Sequence, residues 1–218
     1  MKVCKLIGDY LGENTYLIEK TGSILVIDPG TSSEKLFSAA QQLNGKIVAA
    51  LLTHGHADHA IGAAGLSKAG VPVYLLKEEE PLLNGRASLA LALGARMEKT
   101  ENLRFLKDGE TLSIGPFSVF VIATPGHTAG GACYLIDGAL FSGDTLFRFS
   151  YGRTDFPTGD EMDLINSIAN ELFSLPNETV VYCGHSDRYI ASGNDLIAAF
   201  PDTTIGEEKE KNPILELL

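Results

Sequence analysis

The chain has 218 residues, 44% hydrophobic and 21% charged, with a formal net charge of −11. These proportions exclude low-complexity disorder and collagen, and at ~150 residues per domain the length suits one large domain. The lysines and arginines are scattered, so the basic stripe of a nucleic-acid surface is missing, and the longest apolar run, 47–52, is far below the ~18 residues of a membrane span.

No apolar stretch precedes Asp9 and Glu13, so no secretory signal is expected. Cys4, Cys133 and Cys183 are odd in number and widely spaced, as reduced thiols are rather than a disulfide framework. A cytoplasmic protein is the expectation. Residues 14–19 and 23–28 read as strands joined by the turn Lys20-Thr21-Gly22. Asp28-Pro29-Gly30 ends the second, and Ser32 or Ser33 can cap a helix running to about Leu43. Residues 47–52 form a continuous apolar run, the pattern of a fully buried strand. Helices are expected over 58–69 and 79–93 around a strand at 71–76. Strands follow at 111–114, 117–123, 132–136 and 139–142, then a helix at about 160–174, a strand at 179–183 and a helix near 189–200. Two blocks of strands with helices between them predict two facing sheets with helices outside.

All five histidines stand at strand ends. His54, His56 and His59 fall in Thr53-His54-Gly55-His56-Ala57-Asp58-His59, directly after the 47–52 run. Such a pattern arises by chance on the order of once in ten thousand chains of this composition. In a turn leaving a strand, histidines at i and i+2 can converge on one ion. Asp58 and His59 stand one turn further on and can face a second. Imidazole and carboxylate are the ligands that zinc, iron and manganese prefer. His127 in Thr124-Pro125-Gly126-His127-Thr128, Asp144 in Ser142-Gly143-Asp144-Thr145 and His185 in Tyr182-Cys183-Gly184-His185 each follow another strand.

In this order the T-H-G-H-A-D-H, T-P-G-H-T, S-G-D-T-L-F, G-R-T-D-F and Y-C-G-H segments resemble the metallo-β-lactamase superfamily, most of all its glyoxalase II branch of hydroxyacylglutathione hydrolases. The resemblance implies an α/β fold: an αββα sandwich of two mixed sheets packed face to face, helices on the outer faces, the site at one edge. It implies a single domain over 1–218, without the long C-terminal helical extension of glyoxalase II. By position, His54, His56 and His127 would hold one divalent metal ion and Asp58, His59 and His185 a second, with Asp144 bridging. The two ions are expected to be zinc, with iron or manganese as alternatives. Asp58 and Asp144 would be catalytic, and Arg153 would bind substrate. Asp28 is expected to support a ligand by hydrogen bonding, and Cys183 to stay outside the ligand set. Zinc β-lactamases resemble the chain but have a cysteine at the Asp144 position.

The activity implied is hydrolysis of a small-molecule thioester by a metal-bridging hydroxide, since such a site can lower the pKa of water to roughly 7. With every histidine given to metal, none is left as base for a serine or cysteine nucleophile. No nucleic-acid or membrane partner is expected, and nothing sets the oligomeric state. Glu216 stands where the family has a glutathione-contacting arginine and Asp187 where it has a tyrosine, which predicts weak glutathione recognition or another thiol carrier. A second reading is a persulfide dioxygenase, which resembles the chain in the same motifs and would hold a single iron through His54, His127 and Asp144. A third is a non-catalytic metal-binding regulatory protein, which would be expected to have lost a ligand.

Overall fold

A computed structural model describes residues 1–186 and 195–218. Its first sheet is built from β1 (Lys2–Ile7), β2 (Asn14–Lys20), β3 (Ser23–Ile27), β4 (Lys46–Leu51), β5 (Val73–Leu76) and β6 (Leu103–Leu106). Pairing is antiparallel up to β3 and parallel beyond it. The second sheet takes β7 (Thr111–Ile114), β8 (Phe117–Ala123), β9 (Ala132–Ile136) and β10 (Ala139–Gly143) as an antiparallel run. A separate hairpin follows, β11 (Leu146–Phe147) with β12 (Ser150–Tyr151). Strand β13 (Val180–Cys183) lies parallel to β10. Two short strands finish the edges: β14 (Ile197–Ala198) beside β1, and β15 (Thr203–Thr204) beside β13.

Period-two alternation decides what each face buries. In β3, Leu25 and Ile27 point between the sheets, where they meet Phe117, Val119, Val121, Tyr134 and Phe141. Ile24 and Val26 point the other way, onto Leu36 and Ala39 of α1 (Ser33–Gln42). The same outer layer holds α2 (Ala57–Ala60) and α3 (Ala63–Lys68), which supply Ala60, Ala63 and Leu66. The short α4 is Glu80–Leu83. On the far side, Leu164 and Ile165 of α5 (Glu161–Asn166) and Ile205 of α6 (Ile205–Lys211) cover Leu140, Val181 and Cys183. The result is helices on both outer faces of two mixed sheets, as the sequence predicts.

Several expected elements are altered. The 58–69 helix breaks at Ile61–Gly62, because Gly62 packs on the chain that leaves β3. Its N–H donates to Pro29 O (2.8 Å), and a Cβ there would stand 2.1 Å from Thr31 O. The 79–93 helix is only α4 and short 3₁₀ turns, with Leu89 in the left-handed region (φ 62°). The 160–174 helix is helical throughout but passes from α5 into a π turn and then a 3₁₀ turn. The first half of the expected 189–200 helix, 189–194, lies outside the described residues, and in its second half Ile197–Ala198 is strand. The sequence reading missed β1, β6, the β11–β12 hairpin and α6. No helix among the described residues is long and apolar enough to cross a membrane.

Candidate metal centre

The C-terminal ends of β3, β4, β10 and β13 meet at one edge of the sandwich, and hydrogen bonds between the sheets hold them in register there. Buried Tyr134 donates its hydroxyl to Leu52 O (2.6 Å), and Ala132 N–H donates to Thr53 O (2.9 Å). From the other side, Asn14 N–H donates to Gly184 O (2.8 Å), and Tyr16 donates its hydroxyl to Cys183 O (2.7 Å). The histidine loop, the Asp144 turn and the Gly184-His185 turn are thus fixed relative to one another by main-chain carbonyls. Gly184 is needed for closeness, since a Cβ would stand 2.4 Å from Asp144 Oδ1.

A relay of donors decides which nitrogen of each ring faces the centre. Asp28 accepts from Thr53 N–H (2.7 Å) and from the Thr53 hydroxyl (2.6 Å). Having given its proton to Asp28, the Thr53 oxygen can only accept from His54 Nδ1, 3.0 Å away. His54 Nε2 is therefore a lone pair, and it is buried without a partner. Asp28 Oδ2 also lies 3.0 Å from His59 Nδ1, and the Arg153 carbonyl accepts from His127 Nδ1 (2.7 Å). Both bonds protonate Nδ1 and turn Nε2 inward, the way carboxylates and carbonyls orient ligating imidazoles. His127 Nε2 faces His56 Nδ1 at 3.0 Å, and His59 Nε2 faces His185 Nε2 at 3.2 Å.

The donors gather in two groups. Ligand atoms of His54, His56 and His127 all lie within 4.8 Å of one another, and so do those of Asp58, His59 and His185. Between the groups stands Asp144, with Oδ1 3.3 Å from His59 Nε2 and Oδ2 3.7 Å from His127 Nε2 and 3.5 Å from His185 Nε2. Asp58 Oδ2 lies 3.5 Å from His185 Nε2. Ligand atoms of Asp28, His54 and His59 also lie within 4.8 Å of one another, but both Asp28 oxygens already accept hydrogen bonds.

Protonation follows from these surroundings. Burial holds His54 well below its ordinary pKa, and the neighbouring His59, His56 and His127 add to the effect. His56 is pushed down to about 3, by burial first and then by His127 and His59. Burial opposes charge on His59 too, but Asp144 and Asp58 outweigh it and raise that pKa well above the usual value. Burial likewise disfavours the Asp144 carboxylate, yet His59 and His185 hold its pKa well below the carboxylate range. One group thus offers imidazole nitrogens, with His54 and His56 held neutral, and the other a mixed nitrogen–oxygen set around a shared carboxylate. Unpartnered His54 Nε2 and Asp144 Oδ1, both buried, fit divalent cations well.

All seven candidate ligands are brought together. The Arg153 side chain is not: its guanidinium is exposed and held by Asp155 through two 2.6 Å bonds, and only its carbonyl reaches the centre. Asp187 lies outside the described residues. Glu216 is exposed at the end of the 3₁₀ turn Pro213–Glu216, which buries Ile214. The sequence reading missed Glu79, which is buried and straps two loops. Its Oε2 accepts Gly55 N–H (2.7 Å) between the first two histidines, and its Oε1 accepts Gly130 N–H (2.8 Å). It also missed Phe156, whose ring edge packs on His56 at 5.7 Å.

Two facing mixed sheets that carry a histidine–aspartate cluster at one edge define a class of metal-binding α/β sandwich. The family model of the metallo-beta-lactamase superfamily matches residues 8–185, and the chain belongs to that superfamily. It is 34% identical to a probable metallo-hydrolase of Streptococcus pyogenes, over 98% of this chain and 90% of that protein. It is 33% identical to the hydroxyacylglutathione hydrolase GloC of Haemophilus influenzae, over 87% of this chain and 86% of that one. Among solved structures, the BLEG-1 B3 metallo-beta-lactamase superimposes with a TM-score of 0.83 at 32% identity, covering 97% of this chain and 98% of that one. TTHA1623 in a di-iron-bound form gives 0.79 at 36%, covering 94% and 96%. ETHE1 from Myxococcus xanthus gives 0.73 at 30%, covering 98% and 84%.

Proposed function

We propose that the chain is a two-metal hydrolase of small thioesters, in the glyoxalase II-like branch of its superfamily. The observation that carries this is the pair of three-donor groups with the Asp144 carboxylate between them. The GloC likeness supports the thioester substrate, and the di-iron structure supports a site for two ions. His54, His56 and His127 would hold one ion, Asp58, His59 and His185 the other, and Asp144 both. Bound there, divalent ions lower the pKa of water to roughly 7 and polarise a carbonyl oxygen.

The chain's own part is orientation. Asp28 accepts the Nδ1 proton of His59 and the Arg153 carbonyl that of His127, so in each ring Nε2 is the nitrogen turned toward an ion. Asp58 Oδ2 and Asp144 Oδ2 edge the same space as His185 Nε2 and can take a proton from an attacking water. Phe156 and Phe147 flank the rings of His56 and His185 and narrow the approach of bulk water. A thiolate leaves with a conjugate-acid pKa of about 8.5, so no dedicated general acid is needed.

ETHE1 similarity favours one competing reading, the mononuclear iron persulfide dioxygenase. One experiment separates them: metal analysis of purified protein, with turnover measured on a thioester panel, on a β-lactam, and on glutathione persulfide in an oxygen electrode. Thioester turnover with two ions per chain is expected. Oxygen uptake on the persulfide with one iron per chain, and no thioester turnover, would overturn the proposal.

A further inference from the structure

The turn of the β11–β12 hairpin carries a cation–aromatic cluster that the site described above does not use. The guanidinium carbon of Arg148 sits 4.3 Å from the centroid of the Phe149 ring, and Lys211 Nζ, from the end of α6, sits 5.5 Å from the same centroid. Among the described residues neither cation has a salt-bridge partner, whereas Lys20, Lys35, Lys68 and Arg153 each do. A cation on a ring face is held by the ring quadrupole, and a guanidinium stacked this way keeps its edge N–H groups free for an oxyanion.

This tip is a built feature. Phe149 has φ 56°, a left-handed conformation that is strained for a bulky residue and persists only where the surroundings impose it. The surroundings here are Glu208, fully buried, whose carboxylate accepts from Phe149 N–H (3.0 Å), the Thr203 hydroxyl (2.5 Å) and Asn212 Nδ2 (2.7 Å). Asn212 Nδ2 also donates to Ser150 O (2.9 Å). The C-terminal helix thus holds the tip in one shape. The tip is also close to the centre: Phe147, two residues earlier, packs its ring 6.1 Å from that of His185.

We propose that Arg148 and Lys211, displayed on Phe149, form the subsite that binds the anionic arm of the thiol carrier, a carboxylate or phosphate, beside the candidate metal centre. The proposal rests on the thioester reading above. The chain carries a net charge of −11, so an anionic substrate is repelled at long range and needs local cations. Arg153, the cation that the sequence singles out, is paired with Asp155, while these two have no ion-pair partner among the described residues.

The test uses one acyl group on three thiols: S-lactoylglutathione (carboxylates), lactoyl-coenzyme A (phosphates) and S-lactoyl-N-acetylcysteamine (neutral). In the Arg148→Gln/Lys211→Gln variant, KM for an anionic ester relative to the neutral one should rise about tenfold with kcat largely kept, as loss of uniform binding requires. A larger rise for the coenzyme A ester assigns the subsite to phosphate, a larger rise for the glutathione ester to carboxylate. Lys46→Gln, at the opposite end of β4 from the centre, is the control for net charge. A ratio unmoved by the double variant, or moved as much by Lys46→Gln, overturns the proposal. If the unmodified protein hydrolyses none of the three esters, the thioester reading falls on its own. Calorimetric binding of free coenzyme A and S-methylglutathione then decides the subsite: affinity weakened about tenfold in the double variant keeps it, and equal or absent binding removes it.

Discussion

The Asp28 carboxylate stands 3.0 Å from His59 Nδ1 and also takes both donors of Thr53, so one buried acid sets the proton position on His59 directly and on His54 through a hydroxyl. Asp28→Asn keeps the volume but replaces one acceptor oxygen by a donor, which must then face Thr53 N–H or the Thr53–His59 pair. In the first case Thr53 N–H loses its acceptor; in the second the His59 ring turns its proton inward. We expect metal affinity to fall about 10–100-fold, with a stability loss of about 1–3 kcal/mol from the unpaired donor. Metal titration beside thermal melting of the metal-free protein checks this. Unchanged affinity would show that the ring orientations do not depend on Asp28.

Separate donor groups predict separable losses. His127→Ala should empty mainly the His54/His56/His127 group, and His185→Ala mainly the Asp58/His59/His185 group. Elemental analysis of each variant should give close to one ion per chain where the unmodified protein gives two. Anomalous scattering from crystals should place the remaining ion in the opposite group. A single ion in fully loaded unmodified protein would count against two sites and favour the dioxygenase reading.

All seven candidate ligands were legible because each follows a strand with a turn signal beside it, and the parallel neighbours β3–β4 and β10–β13 deliver those ends to one edge. The supports were not. Glu79 lies in a Lys-Glu-Glu-Glu run that reads as solvated charge, yet its N–H partners are 24 and 51 residues away. Glu208 likewise reads as a surface helix residue, and it holds Phe149 from 59 residues away. Local pattern cannot report a carboxylate buried by tertiary contacts. The 79–93 helix failed for a related reason: Leu83 packs against Gly55, where a Cβ would stand 2.7 Å from Leu83 N, and Asn84-Gly85 ends the helix there. Strand β1 was missed because Lys2 and Lys5 interrupt its apolar pattern, although Lys5 is buried and donates to Asn14 Oδ1 (2.8 Å).

Glu79→Gln tests the loop strap. The amide can accept only one of the two N–H groups that the carboxylate now accepts, and its NH₂ faces the other. The fold should survive with a loss of about 1–3 kcal/mol. Because Gly55 lies between His54 and His56, loading of the His54/His56/His127 group should weaken more than that of the other group. Equal weakening of both groups in a metal titration would show that Glu79 acts on the fold as a whole and not on this loop.

The last prediction sets Asp144 against Cys183. Cys183 is fully buried among the apolar side chains under α5 and α6, and burial, with the nearby charge of Asp202, pushes its thiol well above the ordinary value. Burial also pushes Cys133 up to about 11. A thiol that stays protonated is neither a ready nucleophile nor a ready metal ligand. Asp144 is the reverse case, an ionised carboxylate held among His59, His127 and His185. Asp144→Ala should lower thioester turnover by at least about a hundredfold and reduce metal content, because the donor shared by both groups is gone. Cys183→Ala should keep both ions and most turnover, at a stability cost of about 1 kcal/mol for the lost packing. In the folded protein at pH 8, iodoacetamide should label Cys133 and Cys183 only slowly, and urea should make both react. Loss of both ions in Cys183→Ala, with Asp144→Ala still loaded, would overturn the ligand assignment.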